Sequence, residues 1–293
     1  YADGAYRVES LSEEKLSKFS GLDIALSLPE PEAIEDEQDI RIAQSKNFKK
    51  PTKIYHEDGA QVYLSSSQDH QGKEGIMNLV FRTSSTSENV NNLVSANLLI
   101  AAFQKKNLRI IQRAGQRGAF VIPAIDGIGN LLISMSGRTK RHTQYANDLI
   151  DKFIDFEITE RSLKDLKKLY VDSYESISEL AVADQLEYHA LTTTKQAPYL
   201  YSQKQFLMAL NSVTIDDVKE IHKKILESSF IDIYAHGNYS SDQIIEFAKS
   251  AREKVGITSQ QTPWHYESEF EVKVGRGLVK KLRMPKDGVG IID

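Results

Sequence analysis

The chain has 293 residues, of which 40% are hydrophobic, and this is enough for one large or two small domains with packed cores. Because it contains no cysteine, disulfides and thiolate metal sites are excluded. The net charge of -4 argues against general nucleic-acid binding, and the longest apolar stretch, residues 98–103, is far shorter than the ~20 residues of a membrane helix.

The first 50 residues predict a connecting region. The chain begins at Tyr1 without a signal peptide, so we expect it to be part of a longer polypeptide. Ser12 is followed by two glutamates, which is typical of a short capped helix. No basic residue lies between Lys18 and Arg41, and such a stretch indicates an exposed linker because it cannot bury apolar surface. The acidic residues of this linker are Glu30, Glu32, Glu35, Asp36, Glu37 and Asp39.

Strand signals begin after the linker. Glu57-Asp58-Gly59 is typical of a hairpin turn, and residues 126–129 form a second, glycine-rich turn signal. Period-two alternation and these turn signals predict strands at residues 53–56, 61–65, 76–83, 119–125, 130–136 and 230–235.

Helical periodicity dominates the second half of the chain. Residues 89–104 already carry apolar side chains at helical spacing, among them Leu93 and Leu98. The same spacing predicts helices at residues 145–154, 163–177, 182–192, 203–210, 216–226 and 242–254. Strands grouped before helices, with one late strand returning, predict an α+β fold with helices packed mainly on one face of a sheet.

Five segments carry a resemblance to a known family. They are Gly127, Gly129 and Asn130 of the hairpin, Ser136-Gly137-Arg138, residues 145–159, residues 213–217, and His236-Gly237-Asn238. In this order and at these spacings they resemble the third of four domains in the pitrilysin and insulysin family of insulinase-type zinc metallopeptidases, the inverted zincins. The bacterial pitrilysin-like members are the most similar. The resemblance implies a fold of the LuxS and processing-peptidase type, with a mostly antiparallel sheet.

The flanking segments extend the resemblance to nearly the whole chain. Residues 6–29 resemble the end of the family's second domain and the beginning of its acidic linker, and residues 280–293 resemble the entry into its fourth domain. We therefore expect the end of a preceding domain plus an interdomain linker in residues 1–50, a non-catalytic peptidase-like domain in residues 51–260, and a connection into the following domain in residues 261–293.

The zinc-binding motif of the family is missing from the sequence. The family's catalytic domain uses H-x-x-E-H on a helix, in which two histidines bind zinc and the glutamate is the general base. None of the seven histidines here has a partner at that spacing. The resemblance places the equivalent helix at residues 94–98, V-S-A-N-L, whose side chains can neither bind zinc nor abstract a proton. It therefore implies a domain without a cofactor of its own, with zinc in the parent's catalytic domain.

A different metal set is conceivable near the end of the chain. His265, Glu267 and Glu269 alternate, so on a strand they would share one face. Trp264 and Tyr266 occupy the opposite register, and this pattern favours an ordinary amphipathic strand with the three polar residues on its solvated face.

Basic residues form two clusters. Lys105, Arg109 and Arg113 fall four apart, with Lys106 and Arg117 nearby, so a single helix would present a positive stripe that steers anions or acidic peptides. The alternative is a solvated helix face that tolerates repulsion between like charges. The second cluster consists of Arg138, Lys140, Arg141 and His142.

Gly127, Gly129 and the segment His236-Gly237-Asn238 are interpreted as structural. Glycine and asparagine allow the positive φ that a hairpin or a tight strand-to-helix turn requires.

The leading hypothesis is a non-catalytic, chamber-forming domain of a pitrilysin-like zinc metalloendopeptidase that degrades peptides. The fragment alone is expected to be inactive. The resemblance implies as partners the catalytic N-terminal half and the C-terminal domain of the same polypeptide, peptide substrates, and a periplasmic location, with neither nucleic acid nor membrane as a partner. The alternatives are an inactive interaction or core subunit of the same fold, and a polyanion-binding module.

Overall fold

A computed structural model of the chain describes residues 12–14, 17, 51–57, 59–65, 73–176, 201–257, 280–283 and 289–292. The chain divides into two compact units, residues 1–38 and 39–293. In the first unit Glu13, Glu14 and Ser17 are helical, and the Ser17 hydroxyl donates to the Glu14 carbonyl at 2.9 Å. This agrees with the capped helix predicted at Ser12.

The second unit is built on a six-stranded sheet. Its strands are β1 (Thr52–Glu57), β2 (Ala60–Ser65), β3 (Glu74–Arg82), β4 (Ala119–Ile125), β5 (Leu131–Arg138) and β6 (Phe230–Gly237). The spatial order is β1-β2-β6-β3-β5-β4, and every neighbouring pair is antiparallel except β2 and β6. Strands β7 (Lys280–Arg283) and β8 (Val289–Ile292) form a separate antiparallel pair.

Helices connect and cover the strands. They are α1 (Val90–Lys106), α2 (Leu108–Gln116), α3 (His142–Ile154), α4 (Glu160–Glu175), α5 (Gln203–Ser212), α6 (Ile215–Ser228) and α7 (Ser241–Val255), with a 3-10 turn at Thr139–Arg141. Within the described ranges, no helix combines the length and the apolar character that crossing a membrane would require.

One face of the sheet packs against the helices. Met77, Leu79 and Phe81 alternate along β3 and are buried in the same core as Leu98 of α1 and Ile221 of α6. On the opposite face Phe120 and Ile122 of β4 are more than half exposed. Because each strand presents alternate residues to the two faces, the helix layer buries only one of them. The predicted α+β fold, a mostly antiparallel sheet with helices on one face, is confirmed.

The predicted helix boundaries agree with the structure to within a few residues, because the caps are readable in the sequence. Asn89 accepts a hydrogen bond from the Asn92 amide at the start of α1. Thr214 and Asp217 form a reciprocal capping box at the start of α6. The helix predicted at residues 182–192 lies outside the described residues.

The helix predicted to carry the whole positive stripe is two helices. Helix α1 ends at Lys106, and Asn107 turns the chain before α2 begins. Asn107 is buried, and its side-chain amide donates to the Phe103 carbonyl at 3.0 Å, which satisfies one of the last carbonyls of α1. Lys105 therefore lies on a different helix from Arg109 and Arg113, and the single-helix prediction was wrong.

Candidate functional site

Helix α1 contains residues 94–98, the segment at which the resemblance places the zinc-binding motif of the family. Val94, Ala96 and Leu98 are buried in the main core. Asn97 donates its side-chain amide to the Leu93 carbonyl of the preceding turn at 2.8 Å. This segment is therefore a packing element, and its side chains have neither the imidazoles nor the carboxylate that zinc hydrolysis needs. Across the described part of the chain, no group of three or more His, Cys, Asp or Glu is placed to hold a metal ion.

Two of the resembling segments meet at one end of the sheet. Gly75 of β3 pairs with Gly137 of β5 on one side and with Gly237 of β6 on the other, so three glycines form one row. Gly137 and Gly237 have φ of 95° and 111°. A Cβ on Gly237 would lie 2.7 Å from the Glu74 carbonyl oxygen. These positions require glycine because backbone atoms of the neighbouring strand lie too close to leave room for a Cβ.

Tyr239 and His142 close this end of the sheet from the helix side. The His142 Nδ1 and the Tyr239 hydroxyl are 2.7 Å apart, and both side chains are almost completely buried. Burial lowers the pKa of His142 from 6.5 to about 4, against a smaller opposing effect of a backbone hydrogen bond at Ser136. Burial also raises the pKa of the Tyr239 hydroxyl. His142 is thus a neutral core residue, and its assignment to the second basic cluster was wrong.

His142 makes the stability of the fold depend on pH. A histidine whose pKa is lowered by folding stabilises the fold above its unfolded pKa of 6.5, and this contribution is lost as the pH falls towards 4. The difference corresponds to about 3 kcal/mol. We expect His142→Gln to remove this part of the pH dependence between pH 6.5 and 4, as measured by urea unfolding. Burial also lowers the pKa of His222, but His222 is present in both proteins, so its contribution to the pH dependence cancels in the comparison. Parallel pH profiles of the two proteins would contradict the assignment.

The glycine-rich hairpin between β4 and β5 has a structural role. One carboxylate oxygen of Asp126 accepts hydrogen bonds from the backbone amides of Ile128 and Asn130. The side-chain oxygen of Asn130 in turn accepts from the Thr83 amide at 3.2 Å. Gly129 has φ of 94°, whereas Gly127 is not in the left-handed region. The hairpin is therefore closed by its own polar groups and fixed to the end of β3.

The basic residues surround one edge of the sheet. Lys105 lies in the last turn of α1, Arg109 and Arg113 lie on α2, and all three are exposed. Arg117 is half-buried at the end of α2, and the exposed Arg138 follows at the end of β5, where its amide donates to the Gly118 carbonyl at 2.9 Å. A Cβ on Gly118 would touch the aliphatic part of the Arg138 side chain. Arg138 thus packs against the turn between α2 and β4.

A buried ion pair lies on the sheet face opposite the main helix core. Arg82 Nε is 3.3 Å from an Asp232 carboxylate oxygen, and the two side chains are 5% and 0% exposed. The Arg82 guanidinium also lies 5.1 Å from the centre of the Phe230 ring. Burial raises the pKa of Asp232, and the Arg82 charge opposes this shift. The sequence analysis missed this pair, although a charged residue within each of two apolar strands was a visible signal.

His236 lies on β6 beside Ile76 of β3, and the strand ends at Gly237. Asn238 donates its backbone amide to the Glu74 carbonyl at 3.1 Å. His265, Glu267 and Glu269 lie outside the described residues, so the alternative between metal set and solvated strand stays a prediction.

Comparison of the sequence with family models identifies the family of this chain. Residues 1–206 match the family model described as the middle or third domain of peptidase M16, and residues 212–287 match the model described as the peptidase M16 inactive domain. The chain belongs to the M16 peptidase family. Its resemblance to the pitrilysin and insulysin peptidases is thereby confirmed, as is its assignment to the non-catalytic domains.

Three solved structures share the fold of this chain. Pitrilysin is 20% identical over 92% of this chain with a TM-score of 0.75, and the chain spans 28% of pitrilysin. A protease from Helicobacter pylori is 13% identical over 76% of the chain and 55% of the relative, with a TM-score of 0.58. An M16 inactive domain from Pseudomonas fluorescens is 14% identical over 75% of the chain and 54% of the relative, with a TM-score of 0.56. Among curated proteins none matches.

Proposed function

We propose that this M16 chain is a chamber-forming, non-catalytic domain of a zinc metalloendopeptidase that degrades peptides. The catalytic zinc and the general base belong to an N-terminal half of the same polypeptide, and a C-terminal domain follows this chain. Such a domain encloses the peptide and holds the second half of the chamber in place, so that only short or unfolded peptides reach the zinc. We place the parent protein in the periplasm.

The observation that carries the proposal is the chemistry of helix α1. In a catalytic M16 domain the corresponding helix exposes two imidazoles and a carboxylate, whereas Val94, Ala96 and Leu98 bury this part of α1 in the core. Apolar burial stabilises the fold by about 1.5–3 kcal/mol for each large side chain, and residues 94–98 contain neither a histidine nor a carboxylate for catalysis. The glycine row and the helix caps fix the backbone, and they support a structural role for this domain.

The parent polypeptide provides the test. We expect that deleting the segment corresponding to residues 51–257 abolishes cleavage of a quenched fluorescent peptide, while zinc bound by the catalytic half stays at one equivalent. The matched control is the single substitution Gly115→Ala, on an exposed part of α2 with nothing within 4 Å, which should cleave like the wild type. A parent without an H-x-x-E-H segment, or a deletion that still cleaves the peptide at the wild-type rate, would contradict the proposal.

A further inference from the structure

One segment of the chain carries a local excess of positive charge. The whole protein has 37 Lys and Arg against 41 Asp and Glu. Between Asn89 and Asn147, however, Asp126 is the only acidic residue, whereas the cations in this segment are Lys105, Lys106, Arg109, Arg113, Arg117, Arg138, Lys140 and Arg141. Asp126 is occupied by hydrogen bonds within its own hairpin. Arg109 and Arg113 therefore have no carboxylate close to them in sequence.

Helix α2 carries two of these eight cations, Arg109 and Arg113, and both are exposed. We define the α2 strip as the exposed side chains of Leu108, Arg109, Gln112, Arg113 and Gln116. Ala114 is the only buried residue of the helix. Within the part of the chain that the structure describes, the side chains of Arg109 and Arg113 form neither a hydrogen bond nor an ion pair.

The α2 strip contrasts with an ordinary solvated helix face on the same protein. Lys164 and Lys168 of α4 are also exposed and four residues apart. Around them, however, α4 carries Glu160, Asp165 and Asp172 at neighbouring helical positions, so its charges alternate in sign. Arg109 and Arg113 repel each other without such compensation, which costs about 0.2–0.5 kcal/mol in an isolated helix. A negatively charged ligand bound to both arginines would replace this repulsion by a favourable interaction.

The spacing of Arg109 and Arg113 along the helix indicates the kind of anion that would fit. Four residues of helix separate Arg109 and Arg113 by about 6 Å along the axis. Side chains at alternate positions of an extended peptide lie on one side at about 6.6 Å, so two glutamates in the pattern E-x-E match the two arginines. Each guanidinium can then form a bidentate bond with one carboxylate.

The apolar part of the strip favours a peptide over a nucleic acid. Leu108 is 49% exposed and lies one residue from Arg109, where it can contact an apolar side chain of the ligand. The α2 strip contains no aromatic residue on which bases could stack. We propose that the α2 strip docks the acidic segment of an extended peptide, with Arg109 and Arg113 as the residues that select for alternating carboxylates. The proposal that such peptides are substrates rests on the proposed function. Binding of the peptide to the α2 strip does not require catalysis.

Direct binding to the isolated chain tests the proposal. The probe is a fluorescein-labelled ten-residue peptide with glutamate at alternate positions and serine or leucine between them, and the reference peptide has glutamine in place of glutamate. We expect the glutamate peptide to bind, with an affinity that falls as salt is added, and the glutamine peptide to bind at least about tenfold more weakly. R109Q/R113Q should reduce binding of the glutamate peptide by about tenfold.

The control variant K164Q/K168Q also removes two positive charges that lie four residues apart on a helix. We expect it to change binding of the glutamate peptide less than twofold. R109K/R113K keeps the charge but lacks the planar guanidinium that binds a carboxylate through two hydrogen bonds. Its affinity for the glutamate peptide should therefore lie between those of the wild type and R109Q/R113Q. Circular dichroism and the thermal midpoint of R109Q/R113Q should match the wild type, since neither arginine is buried.

Three outcomes would overturn the proposal: equal binding of the two peptides, equal losses in R109Q/R113Q and K164Q/K168Q, or tight arginine-dependent binding of heparin without binding of the glutamate peptide. The last would identify a sulfated polysaccharide as the ligand. Because peptide binding is measured without the catalytic half, its failure is distinguishable from failure of the proposed function, which is measured as peptide cleavage by the parent.

Discussion

Replacing Asp232 with alanine should lower the free energy of unfolding by about 3–5 kcal/mol. The substitution removes the buried carboxylate that lies 3.3 Å from Arg82 Nε, and the arginine charge then stays buried without this counter-charge. Desolvation of that charge is the dominant cost, because the fold offers Arg82 little access to water. Urea unfolding followed by circular dichroism at neutral pH measures the effect.

Two controls separate the buried charge from the loss of a contact. The double variant R82M/D232L replaces both charges by apolar side chains, and we expect it to recover most of the stability lost in Asp232→Ala. Asp151→Ala removes the exposed pair that Asp151 forms with Lys254 at 2.7 Å, and it should cost no more than about 1 kcal/mol. A loss in Asp232→Ala as small as that in Asp151→Ala would show that the Arg82 charge is not desolvated.

Gly137→Ala should destabilise the fold by about 3 kcal/mol or more. Gly137 has φ of 95°, and a Cβ there would lie 2.2 Å from the Gly118 carbonyl oxygen. The contact is with backbone, so no rotamer change can relieve it. The same carbonyl accepts the Arg138 amide, and moving it would disturb the join between β4 and β5. Thermal and urea unfolding of the variant measure the loss.

Two other glycines calibrate this result. Gly256 has φ of 73° but nothing within 4 Å of its Cβ position, so Gly256→Ala isolates the backbone cost of about 1–2 kcal/mol. Gly115 lies inside α2 with open space around it, and Gly115→Ala should stabilise by about 0.5–1 kcal/mol. If Gly137→Ala cost no more than Gly256→Ala, close approach of the two strands would not be the reason for glycine at residue 137.

Much of the architecture followed from local chemistry. Alternation along residues 76–83 predicted β3, and apolar residues at helical spacing over residues 89–104 predicted α1, because both patterns are set by residues close in sequence. The parallel pairing of β2 with β6 was not predictable in this way. These strands are far apart in sequence, and their register depends on the whole sheet.

The site was harder to predict because it depends on burial. His142 follows two basic residues and reads as a third cation, yet packing against Tyr239 makes it neutral at pH 7. Asn107 interrupts a helical pattern that continues through Arg113, and its bond to Phe103 forms only because Asn107 is buried. Arg82 and Asp232 become partners only when β3 and β6 pair. In each case the deciding contact is between elements or within a buried turn.

The measurement that tests the central claim most directly is a calorimetric titration of the metal-stripped chain with zinc. A non-catalytic M16 domain is expected to show no tight stoichiometric site, since α1 carries no ligand set and no metal-binding group lies within the described ranges. A tight one-to-one site would contradict the claim. If His265→Ala abolished this zinc binding, the metal site would lie at His265, Glu267 and Glu269. Zinc-dependent catalysis by this chain would then become a hypothesis again.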